Sequence, residues 1–229
     1  MKHKLMKGEI NDISSFIHES ALDPHLNLSS LSQICDACNH FTFAGLCTNL
    51  VRLPYARKYL GTNKATKLIA VIAFPFGDIP YEIKKSQAEW AADNGADELD
   101  IVPNFLQLHE RKIDIFAEEM AGIISIGLPS RVILDTMKIQ KEQLLLAIEA
   151  SLDAGASGIQ TGNGFGPTIT SQHIRELNSI TKNRCIIKAA GGVKSFGQAI
   201  ELINAGATYI GTSAGAELAK QFKIHASKQ

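Results

Sequence analysis

Short apolar runs alternate with longer amphipathic stretches along the chain. Leu68-Ile69-Ala70-Val71-Ile72-Ala73-Phe74 is an unbroken apolar run stopped by Pro75-Phe76-Gly77, and a helical stretch over residues 81–94 follows, closed by Gly95. Glu98-Leu99-Asp100-Ile101-Val102 is the next short run, and one long helical region then extends to about Ser125. Arg131-Val132-Ile133-Leu134-Asp135, a helix over 141–154, and Gly158-Ile159-Gln160 continue the alternation. A helix from Thr170-Ser171, a strand over 184–188, a helix over 196–205, a strand over 207–211 and a helix over 213–220 complete it. Upstream, Phe43-Ala44-Gly45-Leu46-Cys47 and a weaker run near Ser15–Ala21 flank a helix over 29–40 and bring the strands to eight. Strands buried on both faces of a parallel sheet read as apolar runs separated by helices.

Eight β-α units in about 210 residues predict an α/β fold with a single (β/α)8 TIM barrel. The phrases Asn94-Gly95-Ala96, Ala154-Gly155-Ala156 and Ala205-Gly206-Ala207 recur at helix-to-strand joints, where glycine ends a helix. A doubly wound open sheet would carry a dinucleotide fingerprint after an early strand. Gly162-Asn163-Gly164-Phe165-Gly166 has alternating glycines but lies after the sixth strand with the wrong spacing, so no cofactor is expected. No linker divides the chain, and residues 1–229 are expected to form one domain with an N-terminal extension of about ten residues.

The 229 residues include 23 Lys+Arg and 23 Asp+Glu, a formal net charge of +0, which speaks against a nucleic-acid partner. Basic residues between Arg52 and Lys85 read as solvated helix faces. No apolar stretch approaches the roughly 18 residues of a membrane span, and the N-terminus lacks a signal-peptide core, so no membrane partner and a cytoplasmic location are expected. Cys35 and Cys38 form a C-x2-C pair inside a predicted helix, which favours buried thiols over zinc or redox chemistry. No H-x-H or H-E-x-x-H spacing suggests a metal, and His109 and His173 read as surface residues.

Chemistry in a barrel is sought at the carboxyl ends of the strands. Asp100, Asp135, Gln160 and Lys188 occupy such positions. Lys and Asp are rarely buried unless paired, which makes an inward-facing pair meaningful. Gly191-Gly192-Val193 follows the seventh strand, and Gly211-Thr212-Ser213-Ala214-Gly215 follows the eighth. Glycine loops on these two strands, with a helix start at Ser213, suit a phosphorylated ligand. Gly191, Gly192, Gly211, Ser213 and Ala214 are the candidate phosphate contacts.

These segments, with Ile72–Gly77, Ala96–Val102 and Thr161–Phe165, resemble the deoxyribose-phosphate aldolase family essentially end to end. The resemblance implies a class I aldolase that joins acetaldehyde reversibly to glyceraldehyde 3-phosphate, giving 2-deoxyribose 5-phosphate. It implies that Lys188 matches a second lysine that lowers the pKa of a Schiff-base lysine, and that Asp100 matches a proton-moving aspartate. Gly191, Gly192 and Ser213 match phosphate contacts. Where the family has its Schiff-base lysine this chain has Gln160, and the following residues are Gly162-Asn163. His18 in His18-Glu19-Ser20 stands for an aspartate, and Asp135 for a glutamate. An amide nitrogen has a delocalised lone pair and cannot form an iminium.

Three readings stay open at this point. Lys188 takes over as the nucleophile of an aldolase; or the barrel runs other chemistry on a sugar phosphate through Asp100, His18 and Asp135, with Glu19 as a further acid–base candidate; or the protein binds a phosphorylated metabolite without turnover. The expected partner is a small phosphorylated sugar or aldehyde, and a homodimer is compatible with the fold.

Overall fold

The computed structural model describes residue 10 and residues 12–61 and 65–226. The expected N-terminal extension falls almost wholly outside the described residues. Eight strands form a closed parallel barrel in sequence order: β1 Ile17–Ala21, β2 Gly45–Thr48, β3 Lys67–Ile72, β4 Glu98–Ile101, β5 Ser130–Ile133, β6 Gly158–Gln160, β7 Ile186–Ala190 and β8 Tyr209–Thr212. β1 closes the ring on β8 with Ile17 opposite Ile210 and His18 opposite Gly211. Around it run α1 Leu28–Phe41, α2 Leu53–Leu60, α3 Tyr81–Asp93, α4 Phe105–His109, α5 Ile113–Ile124, α6 Lys141–Asp153, α7 Ser171–Thr181, α8 Phe196–Asn204 and α9 Gly215–Ala226.

Side chains alternate across each strand, and the two faces meet different surroundings. Outward residues such as Leu68, Ala70, Ile72, Leu99, Ile101, Ile159, Ile187 and Ala189 join the large apolar layer beneath the helices. A small apolar group of Cys47, Ile69 and Val71 lies apart from that layer. The recurrent glycines do what their sequence context predicts: Gly95, Gly155 and Gly206 have φ of +89°, +95° and +105°, a region L side chains rarely adopt.

Three expectations change. The region after β4 is two helices, because Arg111 turns the chain at φ +57° between α4 and α5. α9 begins at Gly215 rather than Ser213, since the Ala214 N–H turns back to Thr212 Oγ1 at 3.0 Å. The basic stretch is not wholly solvated: Lys84 is buried on Glu119 at 2.7 Å, and Arg52 is buried on the carbonyls of Pro24 and Leu26. Cys35 and Cys38 are buried free thiols on the inner face of α1, as expected, and burial pushes the Cys35 thiol up to about 12.

Candidate active site

A cavity of about 300 Å³ opens at the carboxyl ends of the strands. Its lining includes His18, Cys47, Gln160, Lys188, Gly191 and Gly192. Strand register brings the polar residues together: Asp100 is opposite Arg131 across β4 and β5, and Gln160 is opposite Lys188 across β6 and β7. Gly211 on β8 leaves room for the lysine, because a Cβ there would meet Lys188 Cε at 3.2 Å and Ala190 Cβ at 2.9 Å.

Lys188 Nζ donates to Asp100 Oδ2 at 2.5 Å, and Arg131 Nε donates to Asp100 Oδ1 at 2.8 Å. Arg131 Nη1 continues the chain to Glu98 Oε2 at 2.6 Å. Cys47 Sγ lies 3.6 Å from Asp100 Oδ2. Burial alone would raise the Asp100 carboxyl, but the Arg131 and Lys188 charges outweigh it and hold the group below the usual carboxylate range. Buried ions are tolerated when paired in this way.

His18 is buried and stacks on Tyr209 with ring centroids 4.1 Å apart. Burial first, then the charges of Lys188 and Arg131, pull its pKa well below the ordinary histidine value, so its imidazole is neutral. Its Nδ1 has no hydrogen-bond partner among the described residues. Gln160 donates from Nε2 to the Gly162 carbonyl at 2.7 Å, tying down its own loop, while its Oε1 has no partner among the described residues.

Gly191 and Gly192 turn the loop after β7 at φ +125° and +70°. Gly211 and Ser213 also line the cavity, so four of the five candidate phosphate contacts share one wall. Ala214 lies elsewhere, in a neighbouring cleft beside Glu19, and the Gly215 N–H at the start of α9 donates to Glu19 Oε2 at 2.8 Å. Burial raises the Glu19 carboxyl from 4.5 to about 7 against the pull of that N–H. Glu19 therefore faces away from the chemistry that its neighbour His18 faces.

Asp135 does not line the cavity. β5 ends at Ile133, Asp135 adopts φ +48°, and its carboxylate is 2.7 Å from Lys138 Nζ. His109 is exposed, whereas the side chain of His173 is only 15% exposed and its ring lies 2.8 Å from Thr136 Oγ1, so the second histidine is not the surface residue expected. Arg131, Cys47 and Tyr209 belong to the interior but were not read from the sequence as site residues. Their inward parity relative to Asp100 and Lys188 was the available signal. Among the described residues no group of three or more His, Cys, Asp or Glu is arranged to hold a metal ion, and no helix is long and apolar enough to cross a membrane.

No family model matches the chain. It is 32% identical over 213 residues to the deoxyribose-phosphate aldolase of Thermococcus kodakarensis, covering 90% of this chain and 95% of that one. It is 35% identical over 213 residues to the deoxyribose-phosphate aldolase of Microcystis aeruginosa, covering 93% and 94%. The solved structure of the aldolase QR15 superposes with a TM-score of 0.90 at 32% identity, covering 96% of this chain and all of that one.

Proposed function

The chain belongs to the deoxyribose-phosphate aldolase family, and from that premise we propose that it cleaves 2-deoxyribose 5-phosphate reversibly, with Lys188 as the imine-forming amine. One observation carries the reading: a buried lysine in the cavity, held 2.5 Å from the Asp100 carboxylate, with glycine loops beside it. Gln160 cannot replace that amine, and its nitrogen is committed to Gly162.

In the cleavage direction, Lys188 gives its proton to solvent and its free amine attacks the C1 aldehyde. Loss of water leaves an iminium. The C3 hydroxyl gives its proton to neutral His18, the C2–C3 bond breaks, and its electron pair flows into the iminium to form an enamine. Glyceraldehyde 3-phosphate leaves, C2 is protonated, and water releases acetaldehyde from Lys188. The loops at Gly191-Gly192 and Gly211-Ser213 hold the phosphate through backbone N–H groups.

A second reading is favoured by the same ion pair. Asp100 at 2.5 Å stabilises the ammonium form of Lys188, which is not nucleophilic, and the cavity then holds a sugar phosphate without turnover. Borohydride added with 2-deoxyribose 5-phosphate or acetaldehyde distinguishes the two. A reduced adduct on Lys188 supports the aldolase reading; tight phosphate-ester binding with no adduct and no cleavage supports the other.

A further inference from the structure

Arg131 enters the barrel from β5 with its side chain 1% exposed. It spans two carboxylates, Glu98 and Asp100, both of β4, and its Nη2 has no partner among the described residues. Burying a guanidinium this deeply is costly, and pairing with Glu98 alone would satisfy one edge of it. Instead its Nε takes the Asp100 oxygen that Lys188 does not use. One carboxylate thus lies between two cations. Each cation draws on the charge that would otherwise stabilise the other, and a guanidinium cannot give up its proton to relieve the conflict.

We propose that Arg131 is a positioning residue for the reaction, which fixes Asp100 from its far side and, by drawing on that carboxylate's charge, favours the free-amine form of Lys188. The inference rests on the imine chemistry of Lys188. The titratable groups around the pair come from six strands. His18 on β1 is held neutral by burial, the Cys47 thiol on β2 is pushed up to about 12 by burial, and burial raises the Tyr209 hydroxyl on β8. Glu98 and Asp100 lie on β4, Arg131 on β5 and Lys188 on β7.

The test is the pH profile of borohydride trapping with acetaldehyde, read at the Lys188 peptide. Removing the guanidinium charge held on the far oxygen of the shared carboxylate, at an effective dielectric of about 20, moves a midpoint by about one to two pH units. In Arg131→Met the midpoint should rise by that amount, since the amine keeps its proton longer. Arg131→Lys keeps a cation and should restore a midpoint near that of the wild type. Glu98→Gln removes a compensating anion, so its midpoint should fall; this variant carries the test if Arg131→Met does not fold. A wild type that is trapped, with midpoints unchanged in the folded variants, overturns the role of Arg131 and leaves Lys188 standing as the nucleophile. A wild type that is not trapped at any pH overturns the imine reading itself, and this role of Arg131 with it.

Discussion

Glutamine in place of Glu19 should stabilise the barrel at neutral and alkaline pH, and do so progressively less as the pH falls. Glu19 is 6% exposed, and among the described residues its carboxylate accepts a hydrogen bond from the Gly215 N–H. Burial moves its ionisation from 4.5 to about 7. Between those values the folded chain binds more protons than the unfolded one, so this group lowers stability as pH rises through the window and levels off above about 7. The full gap corresponds to about 3 kcal/mol, most of it between pH 5 and 8. A glutamine oxygen can still accept from Gly215, so the variant keeps the helix contact without the buried charge. His18 and His173, whose ionisation burial pulls down, impose the opposite slope, stability rising with pH. Both chains carry these histidines, so the difference between variant and wild type isolates Glu19. Urea titrations at pH 5 and pH 8 supply that difference. It should grow by about 2–3 kcal/mol between the two. A difference independent of pH, or a variant less stable at pH 8, would refute a carboxyl held near 7 by burial.

Two further perturbations address the site. Gly192→Val puts a branched side chain at φ +70°, where even a Cβ would lie 2.6 Å from Thr168 Oγ1. It should weaken calorimetric binding of 2-deoxyribose 5-phosphate about tenfold or more, roughly the loss of one or two backbone contacts to the phosphate; unchanged affinity would move the phosphate away from this loop. Gln160→Lys returns an amine beside Lys188 and should raise aldol cleavage at least about tenfold. A rate no higher than wild type would mean that the loop at Gly162-Asn163, with Asn163 Nδ2 bonded to the Pro75 carbonyl at 2.9 Å, also limits the chemistry.

The barrel was legible because its strands are apolar runs and its joints repeat a glycine that ends up at positive φ. Lys188 and Asp100 were legible for a related reason, as charges placed where only a paired charge survives. Arg131 and Glu98 were not. They stand near the starts of their strands, where a charge reads as a solvent-facing end, and only the register of β4 against β5 shows Arg131 opposite Asp100. Asp135 misled in the other direction: continued parity from Arg131 and Ile133 would turn it inward, but the strand stops at Ile133 and the backbone turns. Glu19 and His18 are adjacent in sequence yet serve different cavities, a consequence of strand alternation that composition cannot report. The break between α4 and α5 falls in the polar run His109-Glu110-Arg111-Lys112, which contains no glycine or proline and whose residue types suit an exposed helical turn as readily as a loop.

The claim that Lys188 is the imine-forming amine is tested most directly by peptide mapping after borohydride reduction in the presence of 2-deoxyribose 5-phosphate. Buried Lys188 should carry the reduced adduct ahead of exposed lysines such as Lys85, inorganic phosphate should slow its formation, and Lys188→Met should abolish it. An unmodified Lys188 peptide, or label scattered over exposed lysines at the same rate with and without phosphate, would contradict the claim.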